Sequence, residues 1–324
     1  MSANSHLAKP DAELGPLLAY LGPPALHTDD VLVLRKQFEA AAFLHQAEWE
    51  DRAPPASEYR VQDHQVHVDI EGGGEEGEIT VRSYLPKISV SASRNRSSDQ
   101  AGPDPFPLLV WYHGGGFIAG DLDLDDGYLR NLCVDLRLSI VSVGYRLAPE
   151  HAFPTGFNDA YAALKWQAAT HPSALRASLA RGFLVGGTSA GANLAAAVVL
   201  RARDDVFFAP SSGRQITGQI LQTPQVVHPE ADISRYSSEL RSMEEQANAP
   251  FLTARKLRAF ARALRAPPND VRVSPLLASR YAGLPPTFVQ VFGLDPLRDE
   301  GLLYARLLRE EGVDTRTSVY VAVA

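Results

Sequence analysis

Cysteine is nearly missing from this sequence: 324 residues carry one, Cys133. A lone thiol cannot close an intramolecular disulfide or build a thiolate metal cluster, so neither contributes to stability or chemistry. Cys133 follows Leu132 in a helical pattern and reads as buried filler, not as a nucleophile. Long apolar runs are missing too: nothing approaches the roughly 20 apolar residues that span a bilayer. Residues 1–24 lack the basic start and continuous apolar segment of a signal peptide. Blocks of like charge are absent, and the formal charge of -7 is spread along the chain. That leaves no electrostatic footprint for nucleic acid or an anionic membrane. We therefore expect a soluble, cytoplasmic protein with neither partner. Internal repeats are absent as well.

What the chain does have is apolar material for a sizeable core, 45% of its residues. One large catalytic domain suits the length better than two independent ones, because α/β folds often run past about 200 residues. Apolar positions recur at helical spacing through residues 11–50 (Leu17, Leu18, Leu21; Val31, Leu34, Phe38, Ala41, Leu44), broken by Gly22-Pro23-Pro24. Two helices are expected there, as a cap or packed on the body. Residues 61–70 alternate strictly and 78–85 follow through Gly72-Gly73-Gly74, which reads as an antiparallel pair at a sheet edge. Residues 87–104 are Ser-rich and aperiodic, a surface loop.

From Phe106 the pattern changes. Short, almost wholly apolar runs at 108–112, 139–145, 182–186, 216–223 and 287–292 alternate with helical stretches at 125–137, 157–171, 190–203 and 299–311. Such runs read as parallel strands buried on both faces, and their alternation with helices predicts a parallel sheet wrapped by helices. Residues 226–264 are polar, charged and helical without a strand of their own. They are long enough to lie over the C-terminal edge of the sheet, where α/β proteins place their active sites. The expected division is N-terminal cap helices over 1–55, an α/β core over 56–225 and 265–324, and a cap insertion over 226–264.

Two motifs carry chemistry. Gly187-Thr188-Ser189-Ala190-Gly191 follows one apolar run and opens a helix. A Ser on such a strand-to-helix turn takes strained backbone geometry and stands exposed above the sheet, while the small residues around it keep neighbouring chains clear. A GxSxG match arises by chance in roughly one chain of this length in ten, and the strand-turn-helix context makes coincidence a poorer account. His113-Gly114-Gly115-Gly116-Phe117 follows another apolar run, and a glycine loop there can turn successive N–H groups toward one point, as an oxyanion hole requires. A phosphate cradle would need the Lys and Ser/Thr of a P-loop, which are absent.

With these motifs, Tyr145 to His151 (YRLAPEH) and Asp295 to Gly301 (DPLRDEG), the chain resembles the hormone-sensitive-lipase-like esterases. The resemblance covers roughly residues 60–324 and implies an α/β-hydrolase fold: a mostly parallel central sheet flanked by helices, with a helical cap. It implies a carboxylic ester hydrolase with a Ser, Asp, His triad and no cofactor, acting on a small or short-acyl ester, with homo-oligomers open. Carried over by position, Ser189 is the nucleophile, Asp295 the triad acid, and the N–H groups of Gly115, Gly116 and Ala190 the oxyanion donors. Thr188 stands where this family often has Asp. His113 and Gly114 shape the loop, and His151 is structural. Asp295 also follows an apolar strand and precedes a helix, where it could cap the helix with Pro296 in its first turn. Arg298, Asp299 and Glu300 lie inside that helix and read as structural.

The family's base is a His that follows one more strand. Here that strand reads as 315–321, and aligning Val319-Tyr320 puts the expected His one position past Ala324. We thus expect a last strand cut short, no terminal helix and no triad His within the chain. His27, His45, His64, His67 and His228 occupy none of the places a base should. Three accounts stand open: a coding sequence cut short or read into an intron at Val321; a non-catalytic small-molecule binder, as in the plant gibberellin receptor of the same family; or a diverged enzyme. Family members act on acetyl esters of aromatic intermediates in fungal polyketide pathways, which the resemblance offers as a substrate class.

Overall fold

Strand β3 (Leu108–Tyr112) is buried at all five positions. Leu108, Val110 and Tyr112 enter one apolar cluster with Val185, Leu194 and Val198, while Leu109 and Trp111 enter another with Leu129, Cys133 and Ile140. A strand covered on both faces has no polar side to offer solvent, hence its unbroken apolar sequence. The chain was analysed as a computed structural model, which describes residues 3–9, 15–16, 28–69, 74–87, 105–170 and 175–321. The helix expected around Leu17 to Leu21, its Gly22-Pro23-Pro24 break, Gly72 and Gly73, and most of the 87–104 loop lie outside them.

The other strands are β1 (Tyr59–Val68), β2 (Gly77–Pro86), β4 (Ser139–Gly144), β5 (Phe183–Thr188), β6 (Gly218–Gln222), β7 (Thr287–Phe292) and β8 (Thr315–Tyr320). They form one eight-stranded sheet in the order β1-β2-β4-β3-β5-β6-β7-β8. β1 and β2 are the expected antiparallel edge pair, β2 joins β4 antiparallel, and all later pairings are parallel. β8 pairs with β7 from Thr287↔Thr315 to Phe292↔Tyr320. Because β3, β5 and β7 run parallel, the loops leaving their C-terminal ends emerge at one edge of the sheet. Those loops hold His113 to Phe117, Ser189 and Asp295.

Helix α1 (Val31–Glu50) is capped by the Asp30 carboxylate, which accepts the Leu32 N–H at 2.9 Å. α2 (Asp126–Asp135), α3 (Thr155–Thr170), α4 (Ala190–Arg203), α5 (Ala254–Leu264) and α6 (Arg298–Glu310) follow. α2 covers the sheet face that holds Trp111 and buries Cys133. Burial pushes the Cys133 thiol up to about 12, which makes it inert filler as expected.

The insertion between β6 and β7 holds α5 and three short helical turns (Ser234–Tyr236, Ser242–Glu245 and Pro275–Leu277), with no strand among its described residues. Thr253 caps α5, accepting the Lys256 N–H at 3.2 Å, and Leu257, Ala261 and Leu264 form its buried face. The insertion is clipped to the core by the first turn of α6. Asp299 accepts the N–H groups of Arg241 and Ser242 at 3.0 and 2.8 Å, and Glu300 accepts that of Val226 at 2.6 Å. Arg298, fully buried, pairs with Asp299 at 2.9 Å and Glu245 at 3.1 Å. The structural reading of these three residues therefore has a concrete form: they fix the cap.

Candidate active site

Strand β5 ends at Thr188 and α4 begins at Ala190, so a single residue, Ser189, makes the turn. It does so at φ 56 and ψ -115, a left-handed strain that a non-glycine residue adopts only when its surroundings dictate it. Here they do. The Ser189 N–H donates to the Gln222 carbonyl at 2.8 Å, and its own carbonyl accepts the Asn193 N–H at 3.0 Å. A Cβ on Gly191 would fall 2.0 Å from the Tyr112 carbonyl oxygen, so only glycine lets α4 start this close to β3. Thr188 donates to the Gln222 side chain at 3.0 Å, which in turn donates to the Tyr128 hydroxyl at 3.0 Å. Thr188 thus braces the turn from behind and leaves the serine hydroxyl free for chemistry.

The glycine loop packs on that serine: a Cβ on Gly114 would meet the Ser189 Cβ at 3.8 Å. Gly115 and Gly116 take φ values of 119 and 62, and Phe117 follows at 65. The Gly115 carbonyl turns back to accept the N–H groups of Ile118 and Ala119 at 3.1 and 3.0 Å. Among the described residues no acceptor takes the N–H of Gly115, Gly116 or Ala190. Buried donors are ordinarily satisfied, and these three lie unpartnered beside a strained serine.

His113 holds this loop. Its Nδ1 donates to the Gly114 carbonyl at 2.7 Å, its ring stacks on Tyr145 at 4.3 Å, and the Tyr145 hydroxyl donates to the His113 carbonyl at 2.9 Å. Burial pushes the imidazole down to about 4, so it stays neutral near pH 7 and is only a weak base. From the other side Arg35 of α1 donates to the Ile118 and Ala148 carbonyls at 2.5 and 2.7 Å. Nothing in a lone Arg on an amphipathic helix marks this role.

Asp295 lies half-buried just past β7. Its Oδ1 accepts the Leu297 N–H at 2.8 Å, and α6 begins only at Arg298. The helix-cap reading of Asp295 and Pro296 therefore needs correcting: the side chain closes a tight turn one residue before the helix and caps nothing within it. Burial raises its carboxyl to about 6, against the lowering effects of the Leu297 N–H and Arg298. Among the described residues no cationic side chain bonds to it, and Arg298 acts on it only through space.

The described histidines each have other work. His6 bonds Ala3, His64 bonds Ser83, His67 lies beside Asp69 and Glu76, and His151 pairs with Glu75. His228 accepts the Glu230 N–H at 3.1 Å. None of these contacts is with Ser189 or Asp295. The ring of His45 and all of His27 and His171 lie outside the described side chains.

Two residues escaped the sequence reading. Phe260, on the buried side of α5, lies over Gly116: a Cβ there would fall 2.4 Å from its ring. Gln225 follows β6, its N–H reaches the Ser189 carbonyl at 3.5 Å, and its side chain is 4% exposed. The signal for Gln225 was available, since β6 delivers its loop to the same sheet edge as β5 and β7.

A parallel sheet with a strained serine between strand and helix, and an acid past a later strand, defines an α/β hydrolase. The alpha/beta hydrolase fold family matches residues 109–324, and the chain belongs to it. The chain is 39% identical over 261 residues to the carboxylic ester hydrolase LipN of Mycobacterium tuberculosis, covering 78% of this chain and 63% of that one. It thus spans less than two thirds of that relative's length. The crystal structure of vibralactone cyclase superposes with a TM-score of 0.85 at 36% identity, covering 98% of this chain and 88% of the other. An esterase from Pyrobaculum calidifontis does so at 0.77 and 31%, covering 97% and 90%. No helix among the described residues is long and apolar enough to cross a membrane.

Proposed function

We propose that this chain is a cytoplasmic carboxylic ester hydrolase that acts on a small, uncharged, short-acyl ester through an acyl-Ser189 intermediate. The observation that carries this reading is the set of unpartnered N–H groups at Gly115, Gly116 and Ala190 around the strained Ser189. The Ser189 hydroxyl attacks the carbonyl carbon and gives up its proton to a base. The carbonyl oxygen becomes an oxyanion held by those N–H groups, and removal of one such donor ordinarily costs about 10²- to 10³-fold in turnover. Collapse expels the alcohol, which takes the proton. Water then attacks the acyl-serine by the same route and releases the acid. Acetyl esters of aromatic fungal polyketides, offered by the resemblance, are the first substrates to try.

The base belongs to the proposal: an imidazole oriented by Asp295, whose unpaired, raised carboxyl suits a cationic neighbour. The test sets p-nitrophenyl acetate turnover by the chain beside that of its Ser189→Ala variant. Loss of the nucleophile ordinarily costs about 10⁶ in turnover, so the variant should be slower by orders of magnitude. If the two turn over alike, the hydrolase reading fails. One observation favours a second reading, a non-catalytic small-molecule binder: no described histidine contacts Ser189. Rapid labelling of Ser189 by a fluorophosphonate would dismiss it.

A further inference from the structure

A small cavity lies between the insertion and the turn that carries Asp295. Pro296 and Leu297 form one wall, Leu257 of α5 another, and Gln225, His228 and Glu300 supply its polar groups. It borders the serine turn: the Gln225 N–H lies 3.5 Å from the Ser189 carbonyl, and the Leu297 N–H donates to Asp295. A cavity this apolar would ordinarily be closed by filling it.

Instead it holds polarity without partners. The Gln225 amide is buried, its Oε1 has no hydrogen bond, and no described residue bonds its Nε2. Whichever way it is turned, it offers one acceptor and one donor. The His228 Nδ1 accepts the Glu230 N–H, which fixes the proton on Nε2. Glu300 spends its Oε1 on the N–H groups of Val226 and Val227. Burial, with Asp295 and Asp299 nearby, lifts its carboxyl well above the usual range, so negative charge is disfavoured at this wall. An unpaired buried amide costs stability, and a site retains such a group where a ligand completes it.

We propose that this cavity is a specificity subsite that takes a neutral hydroxyl on the ester, with Gln225 as the residue that recognises it. A hydroxyl both donates and accepts, and so satisfies both ends of the amide; a carboxylate would bring negative charge to a wall where burial already disfavours it. This inference rests on the ester-hydrolase reading, and the hydroxyl can come from the acyl or the alcohol half.

The test measures binding to the Ser189→Ala chain, so it does not depend on turnover. Two matched pairs are compared by calorimetry: ethyl 3-hydroxybutyrate against ethyl butyrate for the acyl half, and 4-hydroxybutyl acetate against butyl acetate for the alcohol half. One pair should show about three- to tenfold tighter binding of the hydroxylated member, the worth of one neutral hydrogen bond. The pair that responds names the half. Adding Gln225→Met should erase the difference. Met243→Trp, which fills the same cavity, should erase it independently should the first variant fold poorly. Equal binding within both pairs, a difference that survives Gln225→Met, or tighter binding of ethyl 3-aminobutyrate than of the hydroxy ester would overturn the subsite. Fluorophosphonate labelling of the unmodified Ser189 reports separately on the hydrolase reading, so either can fail without the other.

Discussion

The Phe260 ring sits against the Cα of Gly116, so close that a Cβ on the glycine would fall 2.4 Å from it. This contact joins the insertion to the oxyanion loop and makes Gly116 intolerant twice over, through space and through its φ of 62. Gly116→Ala should therefore lower kcat/KM by about 10²- to 10³-fold, as loss of an oxyanion donor does. Gly116→Ala with Phe260→Ala should recover part of the loss, because the ring clash is gone while the backbone strain remains. Steady-state kinetics on both variants check this; equal activity of the double and single variants would show that the clash is irrelevant.

Glu300 fastens the insertion by accepting the Val226 and Val227 N–H groups at 2.6 and 3.3 Å. Because burial favours its neutral form, Glu300→Gln keeps an acceptor in place and should change stability by less than about 1 kcal/mol. Glu300→Ala orphans two buried donors and should cost about 2 to 4 kcal/mol. Urea melts of the two variants decide between this account and one in which the charge itself matters.

Asp295 gives a pH signature. Its folded value of about 6 lies above the ordinary 3.8, so the folded state binds the proton more tightly. The associated stability is complete at pH below 3.8 and is lost as pH rises to 6. Asp295→Asn keeps the acceptor for Leu297 and removes the titration. Its stability relative to the parent should rise between about pH 4 and 6 and level off above 7, by at most about 3 kcal/mol. A difference flat with pH in thermal melts would show that Asp295 is not raised.

His113, buried and stacked on Tyr145, should remain neutral through the working range because its value lies near 4. Imidazole NMR shifts for His113 should not move between pH 5.5 and 8. A midpoint near 6.5 would mean the ring is open to water and free to act as a base.

The sheet was legible because burial writes itself into sequence. β3 is apolar throughout since both its faces are covered, β4 is buried likewise with only Ser139 and Ser142 as polar side chains, and β1, at the edge, mixes buried and exposed positions. Ser189 was legible because the small residues around it answer a local need, the approach of α4 to Tyr112. Phe260 was not, since it looks ordinary in its own helix and acquires its role only when the insertion folds back over the sheet; Gln225 was legible only through its place just past β6. Asp295 was half-legible: its place after β7 was clear, but Pro296 suggested a helix start where the chain makes a separate turn first.

The central claim is that Ser189 is a nucleophile in a prepared oxyanion site. Mass spectrometry after fluorophosphonate treatment tests it most directly, on the chain and on its Ser189→Ala variant. The account predicts one adduct, on the peptide containing Ser189, absent from Ser189→Ala. No adduct on Ser189, or labelling that persists in Ser189→Ala, would contradict it.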